Sequence, residues 1–187
     1  MDPGRYVFSS SDPALDASHL ITIDVVDGYS SFDRVAVLTD GGSVSTLAVS
    51  AVWADPCQWE GSLLDRSAIA STDGVVTALA SQAGLRVSTP TAVTVDGFDA
   101  TYMERRVPAR IDTDTCDWGD NGGEFRVYRS PEFGARILQS GQRQLLWIVD
   151  VDGVPLVIDA THNPGASAEV RAEQLQMVES IQIEPVN

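Results

Sequence analysis

The densest group of side chains that could do chemistry lies in the segment from Asp112 to Glu124. Aspartate and glutamate supply the hard oxygen ligands that calcium prefers, and glycines allow a loop to fold around an ion. The spacing departs from that of an EF-hand, because Cys116 falls at the third ligand position and Gly123 at the twelfth. Calcium binding is therefore one hypothesis for this acidic loop, and simple solvation of the acids is the other. The candidate ligands are Asp112, Asp114, Asp117, Asp120 and Glu124.

Histidine is scarce, since the chain has only His19 and His162, and this limits both nucleophilic catalysis and zinc binding. Asp159 and His162 are an odd number of positions apart and should point to opposite faces of a strand. The sequence contains no nucleophile elbow, P-loop, dinucleotide fingerprint or HExxH motif. These patterns favour a non-catalytic protein. The enzymatic alternative is a hydrolase that uses carboxylates of the acidic loop.

The two cysteines, Cys57 and Cys116, lie in loop-like stretches and do not form a CxxC pair. Metal binding would need further ligands nearby, and a catalytic thiol would need a histidine partner. We therefore expect a disulfide, which places the protein in an oxidising, extracytoplasmic compartment. The opening residues Met1-Asp2-Pro3 are not a basic and then apolar leader, which fits either a cytoplasmic protein or an exported one whose leader is absent from this chain. The expected disulfide favours the exported protein.

Two tryptophans each follow a cysteine by two residues, so a bond between Cys57 and Cys116 would bring Trp59 and Trp118 into one neighbourhood. They either pack over the disulfide or line a shallow ligand surface together with other aromatic and cationic side chains. The candidate ligand-binding residues are Trp59, Trp118, Arg126 and Tyr128.

The charge balance excludes several partners. The chain has 27 acidic residues and 12 basic ones, all of them arginine, for a net charge of −15. Nucleic acid and anionic membrane surfaces would be repelled, because binding to both depends on clustered Lys and Arg. No apolar run approaches the ~20 residues that span a bilayer. With 187 residues and no linker-like break, the chain is predicted to form a single domain, 1–187.

Alternating apolar and polar residues predict a mainly antiparallel sheet. The pairs Asp96-Gly97 and Asp152-Gly153 predict two-residue hairpin turns. The second hairpin then places Val151 opposite Val154, with every pair on that face apolar as far as Leu145 and Ala160. Further strands are predicted for Arg5 to Phe8, Leu20 to Val26 and Val44 to Trp53.

The strand from Leu145 to Val151 has apolar residues on both faces, which predicts a central position with cover on both sides. Pro155 has no N–H, so its end of the following strand should be at an edge, contain a bulge or have no neighbour. Helical periodicity predicts one helix from Ser71 or Thr72 to Gly84 and another from about Ser167 to Ser180. The predicted fold class is α+β, a mainly antiparallel meandering sheet with two packed helices.

Six short segments of the chain are distinctive when taken together: Gly4 to Phe8, Val26 to Tyr29, Ala54 to Trp59, Val95 to Phe98, Leu146 to Gly153 and Val178 to Ile181. Together they resemble uncharacterised exported or lipoprotein-like domains of actinobacteria. The element order also resembles the PsbP-type α/β/α sandwich of LpqN-like lipoproteins. The resemblance implies a binding or assembly role, includes paired cysteines at Cys57 and Cys116, and supplies no catalytic residues.

The sequence thus predicts an exported, non-catalytic interaction module of the cell envelope, secreted or surface-anchored. Its partner is expected to be a small molecule, an envelope component or another protein. The alternatives are the carboxylate-based hydrolase and a calcium-binding accessory domain of a larger surface protein. No cofactor is expected apart from the calcium that the acidic loop could bind.

Overall fold

A computed structural model of the chain describes residues 1–32, 36–119, 122–131 and 133–186. The fold is α+β with mostly antiparallel strands, as predicted. In chain order the strands are β1 (Gly4–Phe8), β2 (His19–Val25), β3 (Ser30–Phe32), β4 (Ala36–Thr39), β5 (Gly42–Leu47), β6 (Ala51–Val52), β7 (Arg86–Val87), β8 (Thr91–Val95), β9 (Phe98–Arg106), β10 (Trp118–Gly119), β11 (Gly122–Gly123), β12 (Arg126–Ser130), β13 (Gly134–Ile137), β14 (Arg143–Val151), β15 (Val154–His162) and β16 (Gln182–Pro185). The α-helices are α1 (Pro13–Ser18), α2 (Thr72–Ala80) and α3 (Ala168–Glu179).

An eight-stranded sheet is the central layer, with strand order β3-β4-β5-β15-β14-β9-β7 and with β8 also paired to β9. One three-stranded sheet has the order β1-β2-β16, and another has the order β13-β12-β6. Strands β10 and β11 form a small separate ribbon. Among the described residues, no helix is both long and apolar enough to cross a membrane.

Both predicted hairpins are confirmed in their register. Val95 pairs with Phe98 in the β8–β9 hairpin, and Val151 pairs with Val154 in the β14–β15 hairpin. In each turn the aspartate and the glycine both have positive φ, as a two-residue turn that follows the sheet twist requires. Pro155 pairs with β14 but has no partner on β5, whose pairing with β15 begins at Val157. The missing N–H of Pro155 therefore costs no ladder hydrogen bond.

Strand β14 lies between β15 and β9, and both of its faces are covered, as predicted. On one face, Leu145 and Val149 pack with the β1-β2-β16 sheet and α3. On the other face, Leu146 and Ile148 pack with α2 and with the β12 region. The central sheet is thus the middle layer between two hydrophobic cores.

Both predicted helices are present and begin at the expected serines. Ser71 caps α2 by accepting from the amide of Gly74, and Ser167 caps α3 by accepting from the amide of Val170. Helix α1 was not predicted, although Asp12 and Pro13 provide its N-cap and its first residue.

The prediction of one strand from Val44 to Trp53 is wrong. Strand β5 ends at Leu47, and β6 begins at Ala51 in a different sheet. The backbone changes partners between them, because the amide of Ala48 donates to Ser10 and the amide of Ser50 donates to the carbonyl of Arg129. The alternation between the two faces of the predicted strand continues across this change of sheet. Hydrophobic periodicity alone therefore could not locate the change.

At the end of β15, His162 is only 4% exposed, and neither ring nitrogen has a hydrogen-bond partner among the described residues. Burial, reinforced by repulsion from Arg143 and Arg171, lowers its pKa, while Glu104 and Asp159 oppose the shift. The folded protein therefore favours the neutral imidazole.

We expect stability to fall as the pH drops below about 6.5, the pKa of an unfolded-state histidine. Below this pH the unfolded chain binds a proton at His162 more readily than the folded chain does. The free energy of unfolding therefore falls by at most about 1.4 kcal/mol for each pH unit. Urea denaturation between about pH 8 and about pH 5.5 should show this slope in the wild type and a flatter one in His162→Leu. Parallel slopes in the two proteins would show that His162 is not responsible.

Candidate functional site

A cavity of about 270 Å³ lies where one edge of the central sheet faces the β12–β13 hairpin. Its volume is near the lower end of the range for small-molecule sites, which is roughly 300–1,000 Å³. Its walls are largely apolar, and Phe32 and Phe133 approach each other with ring centroids 5.8 Å apart. The lining residues are Phe32, Leu38, Ser43, Ser45, Leu47, Tyr128, Ser130, Phe133, Gly134, Ala135 and Arg136.

Local sequence explains why the space exists. On β5, Ser43 and Ser45 lie opposite Thr161 and Asp159 of β15, and their small side chains leave room where larger ones would fill the gap. On β12, the register shifts between Arg126 and Tyr128, which is a β-bulge at the residue between them. Beyond the bulge, Tyr128 is in register with Arg136 of β13, and both side chains reach the cavity.

A network of hydrogen-bonded polar side chains forms the floor of the cavity, and we call it the polar base; its members are Asp159, Tyr128, Gln144, Thr161, Arg136 and Arg105. Asp159 is at its centre, and its side chain is fully buried. Its Oδ2 accepts from the Tyr128 hydroxyl at 2.5 Å and from the Gln144 amide at 2.6 Å, and its Oδ1 accepts from the Thr161 hydroxyl at 2.7 Å. Arg136 places its Nε 3.3 Å from Oδ2. Each oxygen of the Asp159 carboxylate is therefore held in a fixed position.

Arg136 connects this base to the cavity. Its Nη2 donates to the Thr161 hydroxyl at 2.7 Å and to the Ser43 hydroxyl at 3.3 Å. Its side chain is 29% exposed, and it donates no hydrogen bond through Nη1 to any residue in the described part of the chain. Burial lowers the pKa of Arg136, but attraction to Asp159 outweighs this and raises it overall. The guanidinium is thus charged and oriented, and the Arg136 side chain as a whole is partly accessible.

A second arginine, Arg105, lies deeper in the same network and is fully buried. Its Nε donates to the Gln144 side-chain oxygen at 2.9 Å, and its Nη1 donates to the side chain of Gln82. Nη1 also lies 3.3 Å from the carbonyl of Leu79 in the last turn of α2, where the helix dipole favours a positive charge. Burial lowers the pKa of Arg105 to about 10, so it stays charged at neutral pH.

The network is not electrically balanced. Burial and the neighbouring Asp159 raise the pKa of Tyr128 well above its usual value, so its hydroxyl is neutral. Among the residues that the structure describes here, Arg136 pairs with the Asp159 carboxylate directly, and Arg105 is connected to it through Gln144. The described residues of the base therefore carry one net positive charge, inside a protein whose total charge is −15.

The acidic loop forms local contacts. Asp112 and Asp114 are exposed, while Asp117 accepts from the amide of Glu60 at 2.8 Å. Glu124 accepts from Arg126 Nε at 2.6 Å. Asp120 lies outside the described residues. Within the described ranges, no three acidic, histidine or cysteine side chains are grouped as a metal site requires, so calcium binding stays a prediction without structural support.

The predicted disulfide between Cys57 and Cys116 is present. It brings the segments of both tryptophans together: the Trp59 indole nitrogen donates to the carbonyl of Asp117, and the Arg126 guanidinium lies 3.7 Å from the Trp59 ring centroid. Trp118, by contrast, is 70% exposed.

Tyr128 does not join the aromatic group near the disulfide, because it is fully buried and bound to Asp159. The four candidate ligand-binding residues therefore belong to two places, Trp59, Trp118 and Arg126 near the disulfide and Tyr128 at the cavity. Sequence reasoning missed the other residues of the base, which are Arg105, Arg136, Gln144, Asp159 and Thr161. The available signal was Asp159, a charged residue in the second strand of the predicted hairpin, next to a strand predicted to be covered on both faces.

Comparisons with known proteins add a loose structural likeness. No protein-family model matches the chain, and no curated protein matches it. Among solved structures, the chain is similar to LpqN, described as involved in cell envelope biogenesis of Mycobacterium tuberculosis, with a TM-score of 0.46 and 12% sequence identity. The alignment covers 97% of this chain and 91% of LpqN.

Proposed function

We propose that this protein is an exported, non-catalytic binding protein, and that a small molecule with an apolar body occupies the cavity between β3–β5 and the β12–β13 hairpin. The observation that carries the proposal is the combination of apolar walls with a fixed polar base, the usual construction of a small-molecule site. The disulfide between Cys57 and Cys116 supports an extracytoplasmic location, because such bonds persist in oxidising compartments.

The hydrogen bonds within the polar base favour a binding role for the cavity over a catalytic one. Both oxygens of Asp159 accept hydrogen bonds from neighbouring side chains, which suits a carboxylate that positions other groups. The carboxylate-based hydrolase has no support among the described residues, since Asp112 and Asp114 are exposed and Glu124 is held by Arg126. Among the loop acids that the structure describes, no two line the same cleft.

The proposal predicts saturable binding of a small apolar probe such as octanol at the cavity. Amide chemical shifts of isotope-labelled protein should change with increasing octanol, most strongly near Ser45 and Ala135. Ala135→Trp places an indole where Ala135 lines the cavity, and should weaken binding about tenfold or more by filling the space.

The matched control is Ala92→Trp, which adds the same side chain at an exposed position of β8. This variant should bind octanol as the wild type does. The proposal fails if the wild type shows no saturable shift, or if Ala135→Trp and Ala92→Trp bind the probe equally well.

A further inference from the structure

The described residues at the base of the cavity carry a net positive charge, whereas the whole protein is negatively charged. The chain has a net charge of −15, yet the described residues of the base contain two arginines and a single buried carboxylate, Asp159. Arg136 pairs with this carboxylate directly, and Arg105 is connected to it through Gln144. Burying a charge without a compensating partner is costly, so such an excess is expected where a ligand supplies the missing charge. The missing charge here is negative.

Only one of the two arginines can meet a ligand. Arg105 is fully buried, and its donors are directed to Gln144, Gln82 and the carbonyl of Leu79. Arg136 lines the cavity with a side chain that is 29% exposed. Two hydroxyls, those of Ser43 and Thr161, hold its Nη2 in place. The Arg136 guanidinium is therefore the group that an entering anion would contact.

The remaining walls determine the rest of the ligand. The cavity that Arg136 lines also has four apolar lining residues: Phe32, Leu38, Leu47 and Phe133. A fully polar anion such as inorganic phosphate would leave this surface exposed to water, whereas a hydrocarbon group would cover it. A planar guanidinium recognises both carboxylate and phosphate through paired hydrogen bonds.

We infer that the cavity selects a small amphipathic anion, with a carboxylate or phosphate bound by Arg136 and a hydrocarbon portion lying against Phe32, Leu38 and Phe133. This inference rests on the proposed function and specifies its ligand class. Ser43 and Ser45 line the same cavity, and the Ser43 hydroxyl accepts a hydrogen bond from Arg136 Nη2.

The test compares probes that share one hydrocarbon chain and differ in the head group: octanoate, octyl phosphate, octanol and octylammonium. Titrations at about 0.15 M salt, where the Debye length is about 8 Å, screen the distant surface acids. One or both anions should bind at least about tenfold more tightly than octanol, since a hydrogen bond to a charged group is stronger than a neutral one. Octylammonium should bind more weakly than octanol.

Arg136→Met should remove the preference for the anions over octanol, and Arg136→Lys should keep part of that preference. The matched control is Arg129→Met, because Arg129 is exposed on the same hairpin and carries the same charge. It should behave as the wild type. Circular dichroism confirms that each variant is folded, and the wild-type comparison of octanoate with octanol decides the question even if Arg136→Met does not fold.

Two failures are distinguishable. If octanol and both anions bind with equal affinity, the cavity is a ligand site but the inference about charge is wrong. If no probe binds saturably, the proposed function itself is wrong. A preference for octylammonium would also overturn the inference.

Discussion

Asp159→Ala is expected to lower the free energy of unfolding by about 3–5 kcal/mol, the range for removing one partner of a buried charged network. The substitution removes the only acceptor contacted by the Tyr128 hydroxyl and the only carboxylate near Arg136 among the described residues. Two guanidinium groups would then share the buried base without a counter-charge.

Urea denaturation followed by circular dichroism measures this effect. The control is Asp99→Ala, which removes the same charge from an exposed position of β9 and should change stability by about 0.5 kcal/mol or less. Adding Tyr128→Phe to Asp159→Ala should recover part of the lost stability, because the Tyr128 hydroxyl, which Asp159→Ala leaves without an acceptor, is removed as well. A loss below about 1 kcal/mol for Asp159→Ala would contradict the importance of this network.

The second large effect concerns the disulfide. The bond joins residues that are 59 positions apart, and in the chain-entropy model a loop of this length contributes about 4 kcal/mol by restricting the unfolded chain. The double substitution Cys57→Ala and Cys116→Ala should therefore lower the free energy of unfolding by up to about 4 kcal/mol. The fold itself should persist, because the two segments are also joined by hydrogen bonds from Asp117 to Cys57 and from Gln58 to Thr115.

Comparing oxidised wild type with the double variant by urea denaturation measures the contribution of the bond. A thiol titration of denatured, unreduced wild type serves as the control and should detect no free thiol. Detection of two free thiols would contradict both the disulfide and the argument for an oxidising compartment.

Much of the central sheet could be predicted, because the residues that specify its turns and its register are close together in the sequence. Each Asp-Gly pair specifies a two-residue turn, and the turn fixes the register of every residue along the two strands that it joins. The position of Pro155 likewise follows from its missing N–H. The change of sheet between Leu47 and Ala51 depends on Ser10 and Arg129, which lie far away in sequence, and so leaves no local pattern.

The candidate site could be predicted only in part, since its contacts join distant segments. Tyr128 and Asp159 are 31 residues apart, and Gln144 and Arg105 are 39 apart. Simple alternation places Arg126 and Tyr128 on one face of a strand. The bulge between them instead leaves Arg126 against Trp59 and Tyr128 at the cavity. Bulges depend on the pairing of two strands, so the sequence of one strand could not reveal this separation.

The most direct test of the account is a map of the amide chemical shifts that change when octanoate is added to the wild-type protein. The account predicts that the largest saturable changes fall on the cavity, at Ser43, Ser45, Ala135 and Arg136. Changes centred on Trp59 and Trp118 near the disulfide, with the cavity residues unaffected, would contradict it.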